Sequence, residues 1–279
     1  MSENSILKSK GYIRKFPDIH FLNINEEDFL AKKYLFKHMS LNYVMRNLED
    51  KTLLFSNPET WSDPFEKRFI NASYVKPNGT EIPFPWKGRV YCSCFTQEIV
   101  SEAHWMIHSS SVIPMEFIVY RDELLREVER YKDKFQIFVG KVEYIYQTEF
   151  SNELTKIPFD PPMSSYDITS DILLGRLLLL KRKAFAYEDE FRIILVRKSN
   201  TDKKDKNKVL LKYRCHNYEL YDKIKIGPDV PKEVAAMIKD VLSEDKYDMP
   251  PVKSGRRLSK RVSQSNLNNN VGQVRIALP

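Results

Sequence analysis

Glycine is scarce in this chain, with 8 residues in 279, and that scarcity excludes the commonest ways of holding a nucleotide on bare backbone. There is no P-loop, and no GxGxxG follows a strand, so a phosphate cradle built from glycine amides is not expected. The absence of a GxSxG elbow sets aside the α/β-hydrolase mechanism. Cys92, Cys94 and Cys215 are too few for a disulfide framework, and the Cys92-x-Cys94 spacing is strand alternation rather than a metal knuckle. All three are expected to be reduced. No apolar run approaches the roughly 18 residues that cross a bilayer, and the polar start MSENSILKSKGYIRK lacks an apolar signal core. The expectation is a cytoplasmic protein with no membrane partner.

What is present favours a folded chain with a substantial core. Hydrophobic residues make up 42% of it, and 16 Phe with 15 Tyr argue against disorder, because such rings contribute mainly when buried or stacked. Lys and Arg number 45 against 38 Asp and Glu, a formal charge of +7 that favours an anionic partner. Much of the excess lies in a polar loop (Lys203, Lys204, Lys206, Lys208) and a tail (Lys253, Arg256, Arg257, Lys260, Arg261). Solvated loops that keep the protein soluble explain such runs equally well.

Strand and helix signals alternate along the chain. Strands are expected over residues 34–40, 52–56, 89–95, 115–120, 139–146, 188–196, 208–213 and 223–226. Helices are expected after Ser40 as an N-cap, over 122–131, over 167–185 and over 231–242, with a helical turn at 103–108. Asn57-Pro58 and Asp63-Pro64 mark an irregular loop, since proline biases its predecessor away from helix. The expected organisation is an N-terminal extension (1–33), a single α+β domain (34–247) and a disordered basic, Asn-rich tail (248–279).

Two segments concentrate chemistry. In Lys181-Arg-Lys-Ala-Phe-Ala-Tyr-Glu-Asp-Glu-Phe-Arg192, a two-residue period places Glu188, Glu190 and Arg192 on one strand face. Three ionisable groups there form either a surface stripe, with Arg192 bridging both carboxylates, or an electrostatic site that holds a sugar hydroxyl or offsets developing positive charge. In Ser56-Asn-Pro-Glu-Thr-Trp-Ser-Asp-Pro-Phe-Glu66, Asp63 could cap the next turn, while Trp61 or Phe65 could stack on a flat ligand ring. His104 and His108 share a helical face, but the HExxH glutamate is missing, so no metal is expected.

These segments, with Leu35-Phe-Lys-His-Met-Ser40, Ser93-Cys-Phe95, Trp105, Lys141-Val-Glu-Tyr144 and Ile224-Lys-Ile-Gly227, resemble the bacterial family catalogued as domain of unknown function 2971. The chain departs from the family's usual residues at Ser62, His108 and Phe185. The layout also resembles that of compact ADP-ribosyltransferases: a polar residue on an early strand, an aromatic or hydroxyl residue on a middle one and a glutamate on a late one. The resemblance implies one α+β domain with a central mixed or split antiparallel sheet and flanking helices. It also implies NAD as substrate and Glu190 or Glu188 as the catalytic carboxylate. The cofactor-binding set carried over is Lys37, His38, Ser56, Trp61, Asp63, Phe65 and Arg192, with Lys37 or His38 on the adenosine side or a phosphate. Basic loops and aromatics suit an RNA or DNA acceptor, with a protein acceptor or plain NAD hydrolysis left open. An activity of the kind the resemblance implies would be toxic to its host, which points to an antitoxin protein and a role in toxin–antitoxin or phage-defence systems. Two other classes stay open: a non-enzymatic binding module, and a nuclease whose metal would be held by Asp63, Glu66, Glu188 and Glu190.

Overall fold

A computed structural model describes residues 14–75, 81–97, 104–105, 113–149, 168–198, 210–214, 221–243 and 262–264. The first elements are β1 (Ile19–Leu22), α1 (Glu26–Leu30), β2 (Tyr34–Ser40), α2 (Leu41–Glu49), β3 (Thr52–Ser56) and α3 (Pro64–Asn71). A small hairpin, β4 (Ser73–Val75) with β5 (Glu81–Pro83), leads to β6 (Val90–Thr96), β7 (Pro114–Tyr120), α4 (Arg121–Glu129), β8 (Phe135–Lys141) and β9 (Glu143–Ile145). The chain continues through α5 (Ile168–Leu177), β10 (Leu180–Arg182), β11 (Glu190–Arg197) and β12 (Leu210–Arg214), and then β13 (Tyr221–Ile226), α6 (Lys232–Ser243) and β14 (Val262–Gln264).

The main sheet runs β1-β8-β11-β6-β2-β7-β13-β14, with β3 branching from β6 and carrying β12. Parallel and antiparallel pairs are mixed. This is the expected α+β domain with a central mixed sheet. Strand β11 is buried along its whole length, and period two explains how both of its faces are used. Phe191, Ile193 and Leu195 join a core with Phe135, Ile137 and Val139. Ile194 and Val196 join another with Trp86, Phe138 and Leu178.

The sheet is split between β6 and β2. Those strands share a single register pair, Phe36 with Thr96, and β6 meets β3 at a single pair, Ser56 with Cys92. Between these points no described strand pairs with the edge of β6, and Lys37 fills the gap. Its ammonium donates to Ser93 Oγ at 2.9 Å and to the Cys94 carbonyl at 3.0 Å, meeting an acceptor that a continuous ladder would have satisfied.

Several local expectations are corrected. The helix over 167–185 ends at Leu177, followed by β10 and a 3-10 turn, Lys183–Glu188. Leu177 to Leu180 are all buried, and four consecutive apolar side chains cannot share one helical stripe, so a turn and a strand bury them instead. The supposed irregular loop contains α3, because proline is favoured at the first helical position. Asp63 caps it, accepting from the Phe65 amide at 2.9 Å. The strand over 139–146 breaks into β8 and β9, and β9 pairs with β10 in a separate small sheet. The loop over 199–207, Cys215 and most of the turn over 103–108 lie outside the described residues.

Ahead of Tyr34, β1 pairs with β8, and Phe16, Ile19 and Phe29 belong to the core. Within the tail, Val262–Gln264 pairs with β13; residues 248–261 and 265–279 lie outside the description. No described helix is long and apolar enough to cross a membrane.

Ile19 is fully buried, so Ile19→Ala should cost about 2–5 kcal/mol in equilibrium denaturation. A loss below about 0.5 kcal/mol, as at an exposed position, would show that β1 contributes no core.

Candidate functional site

A cleft of about 300 Å³ opens at the split in the sheet, near the lower limit for small-ligand sites. One wall comes from β2, with Phe36, Lys37 and His38, and the edge of β6 adds Cys94, Phe95 and Thr96. Glu190 and Arg192 come from β11, Lys181 from β10, and Trp61 and Glu66 from the segment around the start of α3. Ser62, His104 and Glu188 complete the lining.

At its base lies a buried ion network. Arg192 is 1% exposed. Its Nε donates to Glu190 Oε1 at 2.7 Å, its Nη2 to Glu190 Oε2 at 3.1 Å and to Glu66, and its Nη1 to the Leu178 carbonyl at 2.6 Å. The guanidinium lies 4.5 Å from the centre of the Trp61 ring, a cation–π contact. Lys181 reaches Glu190 at 3.0 Å, Glu66 at 3.6 Å and Glu188. The Cys94 thiol also donates to Glu190, and the Glu190 amide donates to Tyr144 Oη at 2.9 Å.

The expected stripe is therefore corrected in two ways. It is buried, and Arg192 bridges Glu190 and Glu66, while Lys181 makes the bridge to Glu188. The cause is backbone geometry. Glu188 ends the 3-10 turn, and Asp189, left-handed at φ 38° and ψ 54°, turns the chain before β11 begins, a conformation Asp tolerates better than most residues. Glu188 reaches the cleft from that turn rather than by strand alternation.

Three carboxylates thus meet two cations in direct contact, and their environments separate them. Burial works against the ionised form of Glu190, but Arg192 and Lys181 outweigh it and hold that carboxyl well below its usual range. Burial pushes Glu188 up to about 7; Lys181 opposes the shift and ionised Glu190 adds to it. Two neighbouring carboxyls driven apart in this way suit different chemical tasks.

Six of the nine sequence-chosen site residues line the cleft: Lys37, His38, Trp61, Glu188, Glu190 and Arg192. Ser56, Asp63 and Phe65 stand behind it. Ser56 Oγ accepts from the Trp61 indole at 2.9 Å, Asp63 accepts from Arg182 Nε at 3.2 Å, and Phe65 lies under the Arg182 guanidinium at 4.8 Å. His104, which the sequence offers only as a metal-ligand candidate, places its Nε2 3.2 Å from the Glu188 carbonyl, and burial lowers its pKa. Lys181 and Glu66 were in the quoted motifs, but their convergence depends on a β10 and an α3 that the sequence reading did not place.

Among the described residues no group of His, Cys, Asp and Glu is arranged to hold a metal ion. Of the four carboxylates the nuclease reading required, Glu66, Glu188 and Glu190 converge, while Asp63 stands behind the cleft against Arg182. The three converge on Lys181 and Arg192, however, so a divalent ion would have to displace ammonium and guanidinium groups already paired there.

No family model matches the chain, and no curated protein matches it. Among solved structures it is similar to Thermus sp. 2.9 DarT in complex with NAD+, with 11% sequence identity and a TM-score of 0.35 over 84% of this chain and 96% of that one.

Replacing Arg192 with Met strands Glu190 and Glu66, and should cost about 3–5 kcal/mol in denaturant unfolding. Glu188→Gln, at the mouth of the network, should change stability by less than about 1 kcal/mol. Equal losses for the two would show that the network does not distinguish base from mouth.

Proposed function

We propose that the cleft binds NAD and transfers its ADP-ribose to an acceptor, with Glu188 facing the ribose next to nicotinamide. The observation that carries this is the division of labour between two glutamates. Glu190 is 5% exposed and spends its oxygens on Arg192, Lys181 and Cys94. Glu188 sits at the mouth with its side chain 22% exposed and carries the charge that the two cations leave least compensated. A ligand bringing positive charge to that spot completes the balance.

NAD does so twice. Its nicotinamide ring is cationic in the ground state, and when the glycosidic bond breaks, the bonding pair leaves with nicotinamide and positive charge moves onto the ribose. A fixed carboxylate beside that carbon stabilises the transition state more than the ground state. The acceptor then bonds to the same carbon and loses a proton to solvent. The Lys37 ammonium is committed to Ser93 and Cys94 and His38 Nε2 lies against Glu116, so these two side chains shape the adenosine-side wall of the cleft. Trp61 and the rings of Phe36 and Phe95 offer flat surfaces for the ligand.

The chain's net charge of +7 favours an anionic acceptor, RNA or DNA. An enzyme that modifies its host's own nucleic acid needs restraint. An antitoxin protein, a place in phage defence and a cytoplasmic setting therefore belong to the same reading.

Purified protein incubated with labelled NAD, RNA, DNA and lysate proteins should transfer label and release nicotinamide, and Glu188→Gln should lose on the order of a hundredfold or more in rate. Glu188 must be ionised to act, and its pKa is raised to about 7. The wild-type kcat/KM, which reports the free protein, should therefore climb as pH rises through 7 and level off above it, with that step absent from the residual rate of the variant. If the folded protein neither transfers label nor releases nicotinamide, the reading fails and a non-catalytic binding module takes its place.

A further inference from the structure

Glu116 is 0% exposed in the middle of β7, directly opposite His38 on β2 and Lys225 on β13. Its Oε2 lies 3.4 Å from His38 Nε2 and its Oε1 2.8 Å from Lys225 Nζ. The surroundings are apolar, with Phe36, Ile118 and Trp105 forming a buried cluster on this part of the sheet. Burying a carboxylate there is costly, and well-packed hydrophobic residues are often as stable or more so. A purely structural role would be filled at least as well by leucine.

From Glu116 a chain of contacts runs to the mouth of the cleft. The His38 side chain is 4% exposed, and its ring stacks on His104 with centroids 5.4 Å apart and planes 24° apart, while Trp105 meets it edge-on at 5.1 Å. His104 Nε2 in turn lies 3.2 Å from the Glu188 carbonyl. Glu116, Lys225, Tyr187 and the turn carrying Glu188 and Asp189 are the charged or titratable surroundings of this stack.

We infer that Glu116 is a positioning residue: by holding His38 Nε2 it fixes the imidazole on which His104 rests, and through His104 it sets the placement of Glu188. The inference rests on the proposed reading in that Glu188 faces the ligand. Glu116 itself touches no substrate. A carboxylate 3.4 Å from Nε2 also favours one orientation of the His38 ring, as carboxylate partners do for functional histidines. Lys225 lies on the other side of the Glu116 carboxylate, so the carboxylate is held between two cationic-type partners.

The test pairs kinetics with a measurement that needs no NAD. In E116L/K225M an apolar pair replaces the ionic one, so the protein should unfold at the same or higher denaturant concentration than wild type. Its kcat should nevertheless drop by roughly tenfold to a hundredfold, the scale of a small misplacement, with KM for NAD changed less than about threefold. E116Q, which keeps the side chain's shape and its oxygen beside His38 Nε2, should recover most of the rate. In nitrogen-15 spectra of labelled histidines, the His38 and His104 ring signals should move in E116L/K225M and stay near wild type in E116Q. If E116L/K225M does not fold, His38→Phe keeps the ring stack, breaks the tie to Glu116, and should show the same loss of kcat and the same movement of His104. Unmoved His104 signals in a variant that has lost the tie overturn the inference, as does an unchanged kcat. A wild-type protein that turns over no NAD overturns the proposed reading instead, and the histidine spectra still decide whether Glu116 positions the stack.

Discussion

A guanidinium buried beneath a sheet needs anions on every side it shows, and Arg192 has drawn the site together around that need. Its planar fork takes Glu190 with two nitrogens, Glu66 from a different part of the chain, and the carbonyl of Leu178. Each partner comes from a different element, so α3, the turn after α5 and β11 must dock in register before the charge is satisfied. Leaving it unsatisfied costs several kcal/mol, and a misdocked turn would incur that cost. Lys181 extends the same logic outward, tying Glu66 and Glu190 at the base to Glu188 at the mouth. Glu188 is the carboxylate the cations compensate least, and the cleft opens beside it.

The split in the sheet gives that network somewhere to act. A continuous ladder between β6 and β2 would seal the space above Glu190. A single register pair joins them, and Lys37 meets the exposed carbonyl edge without closing the gap. Its pKa is lowered by burial, although Cys94 and Glu190 pull the other way. The sheet therefore stays one body through β6 while presenting a cleft between its halves. One half carries the glutamates; the other carries His38 backed by Glu116, and His104 spans the two.

The central strands were legible from the sequence because apolar runs of five to eight residues bounded by polar turns leave few alternatives. Alternation also placed Glu190 and Arg192 on a common face correctly. What it could not show was how Glu188 joins them, because Asp189 leaves the strand conformation and the period is lost there. Consecutive leucines at 177–180 imitate a helix until their burial in a turn and a strand is known. The loop through Pro64 hid α3, since proline breaks a helix or begins one depending on a cap that only the backbone reveals. Ser56, Asp63 and Phe65 were chosen as ligand contacts from their company in one motif. They hold the Trp61 ring and the Arg182 side chain, one layer behind the cleft.

The claim on which the account depends is that one environment has given two glutamates, two residues apart, opposite tendencies to ionise. Carboxyl carbon-13 titration of glutamate-labelled protein measures this directly, with Glu188→Gln and Glu190→Gln supplying the assignments. Glu188 should titrate near 7 in the free protein, Glu190 should stay ionised well below the usual carboxylate range, and NAD, with its cationic ring, should move the Glu188 midpoint down. Both carboxyls titrating together at an ordinary value near 4.5, with no response to NAD, would contradict that claim.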